Sequence, residues 1–333
     1  MTDFSMVLEC SVSYRRNIKD MPFVKTLTDN ELAVGVSRTM SEIFGDEFEF
    51  KSLRNIPLVT CQKLRESGVL SEGLIDNKDI SAFGVNEDRT KYIFINEQDH
   101  IRLIAKDKGF NLEKCFGLAN QMDDMLLEKL EMAFNNDYGY LTSNPCFMGT
   151  GMEISVMLFL PALTKSNKLG VVVNELLKNE FELNFYGVNG ENSNCPFVII
   201  KNKFTFGYKE SEYAVKMQDI ITRICELETN EENNIFDLSA SALVDGIYRD
   251  YGIAGSCYRI SFSESLEKIG NILWGIRLKM LKCKKQKSVF DFNYELRDFH
   301  LGNDLGVKEA EKLRAKMLNQ FVLENISKGE VDV

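Results

Sequence analysis

Gly149-Thr150-Gly151-Met152-Glu153-Ile154-Ser155-Val156-Met157-Leu158-Phe159-Leu160-Pro161-Ala162-Leu163 carries the longest apolar stretch of the chain, and the rest is read outward from it. The run from Met152 to Leu163 is nearly all apolar. That predicts a central helix buried on every side and halted after Pro161-Ala162-Leu163. Its uncharged part, from Ile154 on, is about ten residues long, too short to cross the roughly 30 Å of a bilayer interior. At the start of such a helix Gly149, Thr150 and Gly151 can cradle an anion through backbone amides alone.

Upstream, Lys91 to Ala105 is rich in β-branched and aromatic residues and reads as strands, with His100 and Arg102 on one face and Ile101 and Leu103 on the other. Residues 111–134 place Leu112, Cys115, Phe116, Ala119, Met122, Leu126, Leu130 and Phe134 on one helical face. Another helix is expected after Asp29, capped by Thr28-Asp29 and carrying Leu32, Val36 and Met40. Downstream, extended runs between Glu180 and Gly207 flank a turn-rich loop, Val188 to Asn194. A helix from about Ser211 to Glu228 then leads to the polar stretch Thr229 to Asn234. This is the expected linker between a domain of residues 1–229 and a helical one of 235–330, which ends in a stripe from Leu305 to Ile326.

Charge and composition narrow the function. Lys and Arg total 40 against 50 Asp and Glu, a net charge of −10. A chain that repels phosphate as a whole is not a DNA-coating protein, so no nucleic-acid partner is expected. Eight scattered cysteines without a CxxC, and only two histidines, argue against a metal site and for reduced, buried thiols. Met1-Thr2-Asp3-Phe4 opens no leader-like segment, so a soluble cytoplasmic protein without a membrane partner is the expectation.

Three stretches, in matching order and spacing, resemble the ATP:guanido phosphotransferase (phosphagen kinase) superfamily and, within it, the bacterial protein-arginine kinases. They are Asn96-Glu97-Gln98-Asp99-His100-Ile101-Arg102, Gly139-Tyr140-Leu141-Thr142-Ser143-Asn144-Pro145 and the opening Gly149 to Leu163. Arg16-Asn17-Ile18, Asn120 to Asp124 and Tyr248 to Gly252 extend the likeness almost end to end. The resemblance implies an α+β fold: an antiparallel sheet flanked by helices that binds Mg-ATP, followed by a mainly helical C-terminal domain that mediates dimerisation. It also implies transfer of the ATP γ-phosphoryl group to a protein arginine. That chemistry rests on cations around the phosphates, magnesium and a carboxylate base.

Set against the family pattern, the phosphate-binding arginines fall on Ser11, Ser13, Glu153 and Leu183, and only Arg102 keeps its identity. The catalytic carboxylates fall on Gln98 and Val188, and the reactive cysteine on Asn144, with Cys146 two residues on. Four lost charge-assisted contacts at about 1.5–3 kcal/mol each remove on the order of 6 kcal/mol, more than four orders of magnitude in nucleotide affinity. Gln98 cannot accept a proton, and a general base contributes roughly 10²- to 10⁴-fold. The resemblance therefore leads to the expectation of a pseudokinase with Mg-ATP binding and phosphotransfer lost or much reduced. Such a chain would serve as a homodimeric or heteromeric partner of an active protein-arginine kinase or of protease machinery. Two alternatives stay open. In one, a working kinase uses Arg15, Arg16, Lys201 and Lys203 as replacement cations and Glu97 as base. In the other, the altered pocket takes a different, cationic small ligand.

Overall fold

In the computed structural model, which describes residues 2–27, 30–187, 194–284, 287–302 and 305–329, the strand Val7–Arg16 (β1) sorts its side chains by parity. Cys10, Val12 and Tyr14 enter the core, while Ser11, Ser13 and Arg15 point to the other face. The strands Phe48–Ser52 (β2), Ala82–Asn86 (β3), Lys91–Ile95 (β4) and Ile101–Lys108 (β5) lie to one side of it. After a small hairpin, Phe134–Asn135 (β6) with Gly139–Tyr140 (β7), come Met152–Phe159 (β8), Phe181–Phe185 (β9) and Phe197–Asn202 (β10) on the other. The result is an eight-stranded, wholly antiparallel sheet of order β2-β3-β4-β5-β1-β8-β10-β9. A two-stranded ribbon, Leu281–Cys283 (β11) with Ile326–Lys328 (β12), lies apart from it.

Eleven α-helices are described: Asn30–Phe44 (α1), Leu58–Glu66 (α2), Glu72–Asp76 (α3), Leu112–Leu127 (α4), Pro161–Lys165 (α5), Leu169–Lys178 (α6), Glu210–Ser256 (α7), Phe262–Arg277 (α8), Lys287–Asp291 (α9), Asp298–Leu301 (α10) and Val307–Asn325 (α11). Helices α1, α4, α6 and the first half of α7 cover the apolar sheet face. On the other face, α2 and α3 pack on Phe83, Tyr92 and Phe94 at one end. The rest of α7 with α8 and α11 pack beyond Phe159 and Phe197 at the other. Between these two covers a polar strip of sheet remains open, and the site lies there. The expected α+β architecture, with an antiparallel sheet flanked by helices and a helical C-terminal part, is what the chain adopts. No described helix is long and apolar enough to cross a membrane.

Several expectations are corrected. Met152 to Phe159 is strand, not helix. It has a hydrogen-bonded neighbour on each side, which permits an apolar run as readily as a buried helix does. Pro161 opens α5 at its first turn, where its missing N–H costs nothing, rather than halting a helix. The amphipathic helix of residues 111–134 ends at Leu127, leaving Leu130 outside it and Phe134 exposed in β6. In α1, Val36 and Met40 are buried but Leu32 is exposed, and the expected cap, Thr28-Asp29, lies outside the described residues. The polar stretch Thr229 to Asn234 is helix within α7, whose single interruption is at Ser239 (φ −157°). Its flank is anchored by Glu228, which accepts the backbone N–H groups of Ala162 and Leu163 at 2.6 and 2.9 Å and so caps α5.

Candidate functional site

The odd-numbered side chains of β1 and β8, the even-numbered ones of β5 and Lys201 of β10 share the open face. Register then decides what meets. Ser13 lies opposite Glu153, Arg15 opposite Arg102, and Ser155 between Ser11 and Lys201. Glu153 is the hub: its carboxylate meets Arg102 Nη2 at 2.7 Å, Arg15 Nη2 at 3.2 Å and Lys201 Nζ at 3.5 Å. Glu97 adds a second anion, 3.5 Å from Arg15 and 3.6 Å from Arg102, and Asp99 lies 3.9 Å from Arg15. Three cations thus face three carboxylates, 3 − 3 = 0, in a site whose members other than Lys201 are largely buried.

The electrostatics follow. Burial opposes the charge on Glu153, but Arg102, Lys201 and Arg15 outweigh it and hold its pKa at about 2. Burial likewise opposes charge on Arg102, yet Glu153 and Glu97 raise its pKa. Arg15 is lowered instead, by burial and by its neighbour Arg102. The longer Arg15 contacts agree with that split, and its guanidinium finds a further partner in the Phe147 ring, 4.4 Å away.

The surrounding loops hold this cluster in place. Asn96, at φ +55°, turns the chain between β4 and β5 and is fixed by donating to the carbonyls of Ala33 and Ile80. Asp99 accepts from the Asn17 amide and the Ser143 N–H, both at 2.7 Å. His100 accepts from the Ile18 N–H at Nδ1 and faces the Pro22 carbonyl with Nε2 at 2.8 Å, which assigns the proton to Nε2. Burial lowers its pKa, so it is a neutral strut for the chain after β1 and makes no contact from the open face. Arg16 is equally structural: wholly buried, it bonds Asp123 at 2.6 Å and the Thr150 carbonyl at 2.8 Å and lies 3.7 Å from the Tyr140 ring centroid. Gly149-Thr150-Gly151 opens a strand, not a helix, and offers no helix N-terminus to an anion. Its glycines serve close approach instead. At Gly151 (φ +66°) a Cβ would fall 2.6 Å from the Arg15 carbonyl and 2.7 Å from Arg16 Nη1.

The comparisons bear on this geometry. The family signature "ATP:guanido phosphotransferase, C-terminal catalytic domain" matches residues 33–231, well over half of the chain. The chain belongs to the ATP:guanido phosphotransferase family. It is 29% identical to the protein-arginine kinase of Clostridium acetobutylicum over 296 residues, covering 87% of this chain and 86% of that one. To the protein-arginine kinase of Bacillus subtilis it is 30% identical over 286 residues, covering 83% and 78%. Among solved structures, lombricine kinase superposes with a TM-score of 0.59 at 21% identity, over 71% of this chain and 70% of that one. The duplicated taurocyamine kinase of Schistosoma mansoni gives 0.59 at 22%, over 67% and 33%.

The structure brings together most positions that the guanido phosphotransferase pattern singles out. Ser13, Glu153 and Arg102 form one cluster, in which Ser13 Oγ accepts from Arg102 Nε at 3.3 Å. Ser11 lies further along the same face with Lys106 and Lys201. Gln98 and Asn144 line one cavity of about 360 Å³ with Glu97, Asp76 and Lys25, while Asn144 caps the turn at Cys146, an exposed thiol. Leu183 is not among them: opposite Ile200, it faces the apolar core, and Glu182 takes the open face beside Lys201. Val188 lies outside the described residues. Phe147 escapes sequence reasoning, and Asn17 and Asp123, though they lie in stretches that extend the family likeness, have no site role there. Their signal is a contact from another element, which no local pattern carries.

Proposed function

We propose that this member of the family is a protein-arginine kinase homologue with phosphotransfer lost or much reduced, acting as a regulatory or binding partner. The observation that carries it is the self-neutralised cluster. Arg102, Arg15 and Lys201 all spend their charge on Glu153, so the cations that could meet a polyphosphate already have an anion among them. The residues present do not fit Mg-ATP. A triphosphate here would have to displace a carboxylate that three cations hold ionised, with a pKa of about 2.

The rival reading, a working kinase with Glu97 as base, meets the same obstacle, because Glu97 is buried against Arg15 and Arg102. Arg16, another of its four replacement cations, is bonded to Asp123. A partnership with an active protein-arginine kinase or protease machinery, as homodimer or heteromer, and a cytoplasmic location are part of the proposal on family grounds.

Thermal-shift titrations with Mg-ATP and Mg-ADP, beside an active protein-arginine kinase, test it. A ligand at 100 times its Kd stabilises by about 2.7 kcal/mol. The active enzyme should shift and this chain should not at millimolar nucleotide. Radiolabel transfer from ATP to an arginine-rich protein, well above a heat-killed control, would overturn the reading.

A further inference from the structure

Beside the neutralised cluster, on the same open face, runs a groove of about 440 Å³. Its floor carries Ser11 and Ser155, its apolar wall Met157 and Ile199, and its charges are Arg65, Lys106, Lys201 and Arg297 against Glu9 and Glu66. That is 4 − 2 = +2, in a chain whose net charge is −10. Three of the four cations have carboxylates of their own: Arg65 with Glu72 at 2.5 Å, Lys106 with Glu9 at 3.6 Å and Lys201 with Glu153 at 3.5 Å. Glu66 is also engaged, accepting from the backbone N–H groups of Phe299 and His300 and from His300 Nδ1.

Arg297 is different. Among the described residues no carboxylate lies within 4.0 Å of it. Its guanidinium lies among rings instead, 4.9 Å from the Tyr186 centroid, 5.0 Å from Phe262 and 5.9 Å from Tyr294, and donates one hydrogen bond to the Tyr186 hydroxyl. Its Nε is buried and has no acceptor. Ring stacking fixes the guanidinium plane while leaving in-plane N–H groups to donate, and a buried donor without an acceptor is unfavourable. Arg297 also lines an adjoining cavity of about 380 Å³ with Phe185 and Asp298. Gly187 (φ +70°) packs close: a Cβ there would come 3.1 Å from Arg297 Nη2.

We propose that this groove binds a compact oxyanion, a carboxylate or phosphomonoester on an apolar body, with Arg297 as its anchor. The inference rests on the reading above in one respect, that the polyphosphate contacts around Glu153 are closed. Arg297 takes the oxyanion in the plane of its guanidinium, the hydroxyls of Ser11 and Ser155 and the ammonium of Lys106 are placed for its remaining oxygens, and Met157 and Ile199 receive the body. A single compact anion suits the one guanidinium of the groove that has no carboxylate of its own among the described residues.

Phenyl phosphate and benzoate are the probes, titrated into the full chain at low salt by calorimetry, with inorganic phosphate and Mg-ATP alongside. Saturable binding of phenyl phosphate or benzoate is expected, and whichever is tighter names the headgroup. Arg297→Gln should weaken it about tenfold or more, the loss expected for one charge-assisted contact. Because removing a stacked guanidinium can unsettle the fold, Lys106→Gln serves as a second variant, expected to weaken binding several-fold with unchanged circular dichroism. No binding of either organic probe at millimolar concentration, or equal affinity for wild type and both variants, overturns the site. Inorganic phosphate binding as tightly as phenyl phosphate overturns the apolar body. Saturable Mg-ATP binding sinks the loss of nucleotide binding instead, so the two readings fail separately.

Discussion

Glu153 is the residue on which both the stability and the closure of the site depend. A carboxylate among three cations stabilises the fold while it closes the site, so the two effects should separate on substitution. Glu153→Gln removes the nearest anion of Arg102 and Arg15 and leaves them only the longer contacts to Glu97 and Asp99, a loss that costs up to about 3–5 kcal/mol in comparable buried cases. The same change frees those cations, and Mg-ADP should then give a thermal shift that the wild type lacks. A folded Glu153→Gln protein that stays indifferent to Mg-ADP would show that neutralisation is not what closes the site. The positions themselves were legible in the sequence, because the family motifs put Ser13, Gln98, Arg102, Asn144 and Glu153 in view. Their pairing was not. Whether Arg15 meets Glu153 depends on the cross-strand register of β1, β8 and β5, and a one-residue slip would send each side chain to the other face. Leu183 shows the consequence, since a motif alignment carried it to the site while parity turned it into the core. Gly151 gives a second residue-scale expectation. Gly151→Ala places a Cβ against Arg15 and Arg16 at positive φ and should cost at least about 1–2 kcal/mol, read as a lowered urea midpoint with unchanged m-value.

At the scale of elements, β8 and α7 were the two hardest to read, for opposite reasons. An apolar run from Met152 has no usable period, so only its neighbours β1 and β10 decide that it is strand. The polar stretch around Thr229 looks like a linker because its side chains are hydrophilic, yet it is held helical by long-range contacts such as Lys168 with Glu231 at 2.6 Å. Glu228 is the clearest of these contacts and sets a pH dependence. Burial raises its pKa to about 7 against the N–H groups that favour its charge. In the unfolded chain it ionises near 4.5, so between about 4.5 and 7 the folded state binds more protons, and this group's contribution to stability falls as pH rises. Glu153 runs the other way: its stabilisation is present above about 4.5 and is lost as pH falls towards 2. Urea unfolding at pH 5 and pH 8 should show Glu228→Gln losing up to about 3 kcal/mol of pH dependence relative to wild type. Parallel curves for the two proteins would mean that Glu228 titrates normally.

At the scale of the whole molecule, the question is whether the sheet and the C-terminal helices are one cooperative unit. The second core cluster combines Phe159, Tyr186 and Phe197 of the sheet region with Ile247, Leu266, Trp274 and Leu318 of the helices, so neither side closes its surface alone. Polar ties cross at separate points: Arg277 to Asp3 at 3.1 Å, Lys108 to Asp291 at 3.1 Å and His300 to Glu66 at 3.0 Å. Helix α7 carries the chain from one side to the other, helical through Thr229 to Asn234 and interrupted at Ser239. Trp274, the single tryptophan, is buried on the C-terminal side and donates to Glu232 at 2.8 Å, so its emission reports that side alone. Far-ultraviolet circular dichroism reports both. If the two sides unfold together, the urea transitions from the two probes coincide, with one midpoint and one m-value. A chain cut after residue 234 should then fail to give a soluble monomer, because Phe159 and Phe197 lose their cover. A tryptophan transition well separated from the circular dichroism transition, together with a stable monomer of residues 1–234, would establish two independent domains and leave the cluster of Phe159 and Phe197 with Leu266 and Trp274 as a docking contact between them.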